Sequence, residues 1–188
     1  MEDKVINIGS VSLAIKVRRT IWNVTCFFLF RPFPTKLFWW WRWILLRVFG
    51  AKVHFKAHVY SSVNIWAPWN LKMDKGSCLG PHVICYNQAL VTLKESAIVS
   101  QYAYLCTAGH ETDKTNTASS GLIVAPITID KNAWIGTHAY INMGVEIGEE
   151  AIVGARSAVF KNVEPWIIVG GNPAKFIKKR VIADEQTS

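Results

Sequence analysis

Aliphatic residues recur at every sixth position in the C-terminal half of the chain, and this spacing constrains the fold more than any other feature. Helices repeat every 3.6 residues and half-buried strands every two, so neither produces the pattern. We interpret each six-residue unit as a short strand and a turn, with three units per coil of a triangular solenoid. The aliphatic series is Ile129, Ile135, Ile141, Ile147, Val153 and Val159, and the smaller residues two positions earlier are Ile127, Ala133, Ala139, Val145, Ala151 and Ser157.

The same repeat extends back to residue 53, but it is interrupted three times. The interruptions follow Ile65, Cys85 and Leu105, and each of these residues belongs to the third unit of a coil. The insertions, at 66–70, 86–90 and 106–126, should therefore leave the solenoid at one corner. Loops held on a rigid scaffold are where binding and catalysis concentrate, so this corner is the predicted functional site.

Four glycines fall at predicted turns of the repeat. They are Gly136, Gly144, Gly148 and Gly154. Because glycine has no Cβ, it adopts positive φ angles at little steric cost. We therefore expect left-handed backbone conformations at these four positions.

Three passages on this repeat resemble the hexapeptide-repeat acyltransferases, and most of all the sugar O-acetyltransferases of exopolysaccharide and colanic-acid pathways. They are AGH at 108–110, PITIDKNAWIG at 126–136 and VEPWIIVGGNPAKFIKKR at 163–180. The resemblance implies an all-β solenoid, the left-handed parallel β-helix, assembled as a homotrimer. It also implies an enzyme of polysaccharide biosynthesis that transfers the acetyl group of acetyl-CoA to a sugar hydroxyl and requires no metal ion.

The chain divides into three expected segments. Residues 1–50 form an aromatic and basic helical segment, residues 51–170 the β-helix with its loop at 106–126, and residues 171–188 a basic segment that closes the solenoid. No second globular domain is required, because a stacked solenoid builds one continuous core.

His110, at the root of the third insertion, is the strongest candidate for a catalytic residue. An imidazole titrates at about pH 6.5 when unperturbed, so it exchanges protons readily near neutral pH. The resemblance gives His110 the role of general base, which deprotonates the sugar hydroxyl that attacks the thioester. A histidine that only caps the loop is the structural alternative. Cys106 is expected to be structural, because direct transfer needs no acyl-enzyme.

The resemblance places the donor beside the last coils, between adjacent subunits, where His110 of one chain would face Trp134 of its neighbour. A nucleotide tail needs cations, and a pantetheine arm needs a narrow groove. A solvated basic tail is the alternative for Lys175 and Lys178. The implied donor-binding residues are Trp134, Thr137, Ala155, Lys161, Lys175 and Lys178.

The acceptor residues are predicted from their position on the inserted corner. The Asn and Asp that similar enzymes of free galactosides or maltose use have no counterparts here, since Gly80 and Gln88 stand at those positions. Aromatic faces stack on sugar rings and amides bind hydroxyls, although corner packing is the alternative for Trp69. The predicted acceptor-binding residues are Trp66, Trp69, Tyr86, Asn87 and Gln88.

Residues 15–49 are crowded with Trp and Phe and interrupted by Arg. No apolar run reaches the ~20 residues that a spanning helix needs, and Pro32 and Pro34 divide the segment. In one interpretation, a helix from about Lys36 to Val48 packs its aromatic face on the open end of the β-helix. In the other, that face makes peripheral contact with a membrane, with tryptophans at headgroup depth. The two interpretations are compatible.

Charge and cysteine usage limit the partners and the compartment. The net charge of +8 favours an anionic partner. Because no nucleic-acid motif is present, we expect this partner to be a phosphorylated cofactor or an anionic lipid. The expected acceptor is a sugar or a lipid-linked oligosaccharide. The four cysteines lack CxxC spacing, which favours free thiols in a reducing compartment. The first residues show no secretory signal, so we expect a cytoplasmic protein. If residues 15–49 contact a membrane, we expect the protein at the inner face of that membrane.

Two rival functions remain open on the sequence alone. One is a non-catalytic solenoid that docks on membrane or protein through residues 15–49. The other is a metal-dependent hydratase of the gamma carbonic anhydrase type, whose β-helix binds zinc through three histidines. His82 and His138 are predicted on a different corner from His110, so the three cannot converge on one ion within one chain. A site formed across a trimer interface is the remaining alternative. No metal site is predicted.

Overall fold

The computed structural model describes residues 5–34, 37–111 and 121–181, and within them short parallel strands wind into five coils of a three-sided prism. The first face comprises β2 (Lys52–Val53), β5 (Leu71–Met73), β8 (Val91–Leu93), β13 (Ile127–Ile129) and β16 (Glu146–Ile147). The second comprises β3 (His58–Val59), β6 (Cys78–Leu79), β9 (Ile98–Val99), β14 (Trp134–Ile135), β17 (Ile152–Val153), β19 (Ile167–Gly170) and the antiparallel β20 (Lys175–Lys179). The third comprises β4 (Asn64–Ile65), β7 (Ile84–Tyr86), β10 (Tyr104–Cys106), β15 (Tyr140–Ile141) and β18 (Ala158–Val159).

Both series of the six-residue repeat point into the prism, and every member is buried. Consecutive coils are in register, so that Ile135 lies beside Val153 in the next coil. The backbone N–H groups of one coil donate to carbonyls of the following coil, as Gly136 N does to Val153 O at 2.8 Å. The repeat therefore builds one continuous apolar column in which backbone polar groups pair between coils.

The expectation of positive φ at the four turn glycines is wrong for three of them. Gly144 has a φ of +78°, but Gly136, Gly148 and Gly154 do not adopt positive φ. A Cβ on Gly136 would lie 2.7 Å from the backbone nitrogen of Ala155, so this glycine permits close approach of the next coil. In the described residues, the left-handed positions that lack glycine are occupied by His82, Ser96, Tyr102, Asn132, His138, Glu150, Arg156 and Trp166.

All three insertions leave the prism at the corner between the third and first faces, as the repeat predicts. The first forms a 3₁₀ turn at Pro68–Asn70. The third forms a hairpin of β11 (Ala108–His110) and β12 (Leu122–Val124), whose middle residues, 112–120, lie outside the described part of the chain. An N-terminal strand that the sequence analysis did not predict, β1 (Ile6–Gly9), pairs antiparallel with β12 and completes a three-stranded sheet.

The N-terminal segment folds into two helices joined by a π-helical turn. They are α1 (Leu13–Thr25), the turn Cys26–Phe30 and α2 (Trp39–Val48), so the second helix begins later than the predicted Lys36, which itself lies outside the described residues. Both helices bury one side against the first coil. Neither of them, nor any other helix in the described ranges, has the length and apolarity to cross a membrane.

Three side chains of this segment hydrogen-bond to the open end of the prism, one on each face. The indole of Trp43 donates to Val53 O at 2.9 Å, the Nε of Arg42 to Val59 O at 3.0 Å, and the indole of Trp22 to Ile65 O at 2.8 Å. No earlier coil exists to donate to these carbonyls, and an unpaired buried carbonyl is costly. The interpretation of the segment as a cover for the end of the β-helix is confirmed.

Replacement of Trp22 by Phe tests this arrangement. The variant retains an aromatic ring but loses the donor to Ile65 O, so we expect the free energy of unfolding to fall by about 1 to 3 kcal/mol. Trp40→Phe is the matched control, because Trp40 is 44% exposed and replacement of its indole should change the free energy of unfolding little. Denaturant unfolding of both variants gives the comparison, and equal effects would contradict a special role for Trp22.

Candidate active site

His110 stands at the end of β11, exposed at the corner that carries the insertions. The strand before it lies close to the next coil, because a Cβ on Gly109 would come within 3.2 Å of the Cε of Met143. Thr107 fixes the root of the hairpin: its backbone N–H and its hydroxyl both donate to Tyr86 O, at 3.1 and 3.0 Å, and its hydroxyl accepts from Ala89 N at 2.9 Å. The base candidate is thus attached to the second insertion through a buried threonine.

The N-terminal strand supports the same hairpin from its other side. Ile6 lies in register with Val124, and the Nδ2 of Asn7 donates to the Oε1 of Glu111 at 2.9 Å. Glu111 follows His110 directly, so this hydrogen bond connects the start of the chain to the residue next to the candidate base. Neither Asn7 nor Thr107 was singled out from the sequence, because nothing in the six-residue repeat relates residues at such separations.

A column of outward aromatic rings runs along the third face beside this corner. Its members are Trp66, Tyr86, Tyr104, Tyr140 and Phe160, with successive ring centroids 6.1, 6.5, 5.8 and 5.9 Å apart. Burial raises the pKa of the Tyr104 and Tyr140 phenols, and a hydrogen bond with the side chain of Cys106 raises the pKa of Tyr140 further. Both hydroxyls are therefore protonated at neutral pH, and that of Tyr140 donates to Asn142 Oδ1 at 3.1 Å.

The five predicted acceptor residues do converge on the inserted corner, but several of them already have partners. The guanidinium groups of Arg19 and Arg18, from α1, lie 4.1 Å from the ring centres of Trp66 and Trp69. These tryptophans therefore support the helix with one face each. The six-residue repeat could not predict this cover, because the cover depends on how α1 crosses the corner.

Asn87 and Gln88 differ sharply in their surroundings. Asn87 is fully buried, and its amide accepts from Ala67 N and donates to Ala67 O and Asn70 O at 2.9, 2.7 and 3.0 Å. It joins the first insertion to the second. The amide of Gln88 donates to the hydroxyl of Tyr86 at 2.6 Å, and its buried Oε1 has no hydrogen-bond partner among the described residues. Gln88 and Tyr86 thus form a hydrogen-bonded polar pair at the inserted corner.

The predicted donor residues lie elsewhere on the prism. Trp134 is 48% exposed on the second face, where its indole donates to the Oγ of Ser100 at 2.8 Å. Thr137 and Ala155 follow at the corner between the second and third faces, and Lys178 pairs with Ile168 at the edge of the second face. This set is on a different corner from His110.

The two remaining lysines border the last coil. Lys161 and Lys175 both line a cavity of about 380 Å³ at the C-terminal end of the prism, whose other walls are mostly apolar. Each is exposed, so its ammonium group can reach an anion outside the prism. The structure therefore brings Lys161 and Lys175 together, apart from Trp134.

Two other histidines and the cysteines were candidates for metal binding or catalysis. His82 and His138 stack on opposite sides of Tyr102, with ring centroids 4.9 Å apart in each pair, on the corner between the second and third faces. Within the described ranges no group of three or more His, Cys, Asp or Glu is placed to hold a metal ion. All four cysteines are free thiols, and burial raises the pKa of Cys85 to about 12.

Comparison with known proteins assigns the family. A protein described as the colanic acid biosynthesis acetyltransferase WcaF of Escherichia coli K12 is 36% identical to this chain over 141 residues, which cover 75% of this chain and 76% of that protein. This chain belongs to the hexapeptide-repeat acetyltransferases. The prediction of an acyltransferase is thereby confirmed.

Other members of the family are also similar. Galactoside O-acetyltransferase of E. coli K12 is 33% identical over 89 residues, which are 47% of this chain and 44% of that enzyme. Two crystal structures of a hexapeptide-repeat acetyltransferase from Vibrio cholerae are also similar. The first superposes with a TM-score of 0.80 at 25% identity and covers 91% of this chain and 95% of that one. The second superposes with a TM-score of 0.78 at 23% identity and covers 92% of each chain. The second is complexed with acetyl coenzyme A. The expected left-handed parallel β-helix is confirmed, although no protein-family model matches the chain.

Replacement of Asn87 by Asp distinguishes a structural from a substrate-binding amide. The carboxylate would still accept from Ala67 N but would face the carbonyls of Ala67 and Asn70, so we expect a loss of about 2 to 4 kcal/mol in the free energy of unfolding. Asn64→Asp, at an exposed position on the same face, is the control. Unchanged stability together with a raised KM for the acceptor would instead identify Asn87 as a substrate ligand.

Proposed function

We propose that this acetyltransferase transfers the acetyl group of acetyl-CoA to a sugar hydroxyl, with His110 as general base, in a groove between subunits of a homotrimer. The observation that carries the proposal is the position of His110 at the root of a loop that two other insertions and an N-terminal strand support. Among the described histidines, His110 alone lies on that corner. The complex of the Vibrio cholerae enzyme with acetyl coenzyme A supports the choice of donor.

The separation of the two residue sets favours a site that two subunits share. His110 lies between the third and first faces, whereas Trp134, Thr137 and Ala155 lie on the second face and its far corner. A convex prism cannot bring these surfaces together within one chain. If the third-to-first corner of one subunit meets the second face of the next, the base faces the exposed indole of Trp134. Three such contacts close a ring with threefold symmetry.

In the proposed reaction the His110 imidazole takes the proton of the acceptor hydroxyl as the oxygen attacks the thioester carbonyl. The new ester bond forms, the carbon–sulfur bond breaks, and the proton on His110 passes to the departing CoA thiolate. Thr107 and Asn7 hold the hairpin that carries the imidazole. Lys161, Lys175 and Lys178 supply the cations that the nucleotide phosphates require.

The acceptor is proposed to be a carbohydrate of polysaccharide biosynthesis. WcaF is described as acting in colanic acid biosynthesis, and the other E. coli relative as a galactoside O-acetyltransferase. In this chain the aromatic column and the half-buried pair of Gln88 and Tyr86 lie at the inserted corner, where rings and polar groups can contact a sugar. Because sites built to hydrogen-bond hydroxyls reject analogues that lack them, Gln88 and Tyr86 are the proposed selectivity residues.

The reaction is proposed to occur in the cytoplasm. Four free thiols and no disulfide in the described residues fit a reducing compartment, and disulfides are rare there.

Replacement of His110 by Ala tests the base. We expect kcat to fall by about 10² to 10⁴, the usual contribution of general acid–base catalysis, while the affinity for CoA stays nearly unchanged. Release of CoA thiol from acetyl-CoA, measured with a panel of mono- and oligosaccharides, gives the rate. His58→Ala removes an exposed histidine from the first coil and serves as the control. Near-normal turnover by His110→Ala would remove this residue from the mechanism.

The proposed donor cations are tested by Lys161→Ala, Lys175→Ala and Lys178→Ala. If each ammonium contacts phosphate, the KM for acetyl-CoA should rise about threefold to tenfold at low salt, with a smaller change in kcat, and the penalty should shrink as salt screens the interaction. Lys72→Ala, on the first face, is the control. Penalties that are the same at low and high salt would count against phosphate binding.

A further inference from the structure

Helix α1 presents an apolar stripe to solvent. Leu13, Val17, Ile21, Val24 and Phe28 are separated by four, four, three and four residues, and each is more than half exposed. This spacing places all five on one side of the helix and its continuation. The opposite side buries Trp22 and Cys26 against the prism. The helix is thus apolar on two sides, only one of which the prism covers.

The exposed apolar surface continues into the π-helical turn. The rings of Phe27 and Phe28 pack edge to face with centroids 4.9 Å apart, and both rings are more than 60% exposed. Large apolar side chains at the surface normally occur singly, whereas a contiguous patch marks an interaction site.

The tryptophans of α2 are mostly used inside the protein. Trp39 and Trp43 pack on Phe55 with ring centroids 4.4 and 5.3 Å away, and the indole of Trp41 donates to Leu29 O at 2.8 Å. Only Trp40 is exposed. The tryptophan face of α2, which one interpretation placed in a membrane, therefore covers the prism. The apolar surface that remains uncovered belongs to α1.

Charge is distributed unevenly along the chain, and the cover of the prism is its basic end. Residues 4–73 contain eleven Lys and Arg and no Asp or Glu, whereas the rest of the chain contains ten basic and thirteen acidic residues. The exposed apolar stripe therefore belongs to a part of the chain whose only charged side chains are positive. A protein partner of ordinary composition does not require such a field, but an anionic bilayer complements it directly.

One arginine beside the stripe is placed to receive an anion. Arg31 follows the π-helical turn, is exposed, and lines a polar cleft of about 280 Å³ together with Asn23, Asn64 and the exposed ring of Phe27. A guanidinium binds phosphate through charge-assisted hydrogen bonds, so Arg31 can receive an anion in this cleft.

We infer that α1 and the π-helical turn dock the protein on an anionic phospholipid bilayer. The apolar stripe enters the interface, with α1 in the plane of the membrane, while Arg31 receives lipid phosphate. Amphipathic helices with basic flanks bind membranes in this way, through buried apolar area and attraction to anionic lipid. Docking needs no contribution from the acetylation site, so the two are tested separately.

Flotation with liposomes is the test, using full-length protein at low salt. Wild-type protein should float with vesicles of phosphatidylglycerol and phosphatidylcholine and much less with phosphatidylcholine alone. The double variant Val17→Ser and Ile21→Ser should partition about tenfold less. Ile177→Ser and Val181→Ser together form the matched control, since they remove the same two side-chain types from exposed positions in the C-terminal segment and should float as wild type does.

The charge contribution is measured with Arg31→Gln, which should lower partitioning to anionic vesicles about fivefold and leave the weak binding to neutral vesicles unchanged. Arg156→Gln, at an exposed turn, is the control. Melting temperatures of all variants should match that of the wild type because the altered side chains are exposed. Failure of wild-type protein to float, or equal flotation of the test and control double variants, would overturn the inference. So would sedimentation data in which the Val17→Ser and Ile21→Ser variant alone dissociates, since the stripe would then join copies of this chain.

Discussion

A solenoid of stacked coils has an unavoidable problem at its first coil, whose carbonyls have no coil before them to donate hydrogen bonds. Here each face receives one side-chain donor: an indole, a guanidinium and a second indole. A guanidinium and two indoles are long enough to reach over the apolar end of the prism while their stems and rings cover it. The same contacts therefore satisfy polar groups and exclude water from the core.

The regularity of the prism explains why irregularity is confined to one corner. Coils in register leave little freedom along the faces, because a Cβ at a position such as Gly136 would meet the backbone of the next coil. Extra residues can leave only at a turn, and three successive coils use the same turn. Asn87 and Thr107 then connect one insertion to the next with buried hydrogen bonds. The irregular corner is consequently a packed structure that can hold a reactive side chain still.

The sequence predicted the parts of this protein that follow from the repeat. The faces, the inward residues, the corner of the insertions and the position of His110 all follow from counting in sixes. The repeat could not predict contacts that depend on distance in space, such as Arg18 and Arg19 over the tryptophans or the pairing of β1 with β12. The prediction of positive φ is wrong for three turn glycines because both close packing and positive φ favour glycine, and the sequence does not distinguish the two causes.

The strand β1 ties the beginning of the chain to its candidate active site, since Asn7 bonds to a residue 104 positions later. During synthesis this strand has no partner until the third insertion has left the ribosome, long after the first coils are complete. Closing so large a loop is slow in comparison with the local winding of the prism. Formation of the three-stranded sheet that carries His110 is therefore a late step in the folding of this protein.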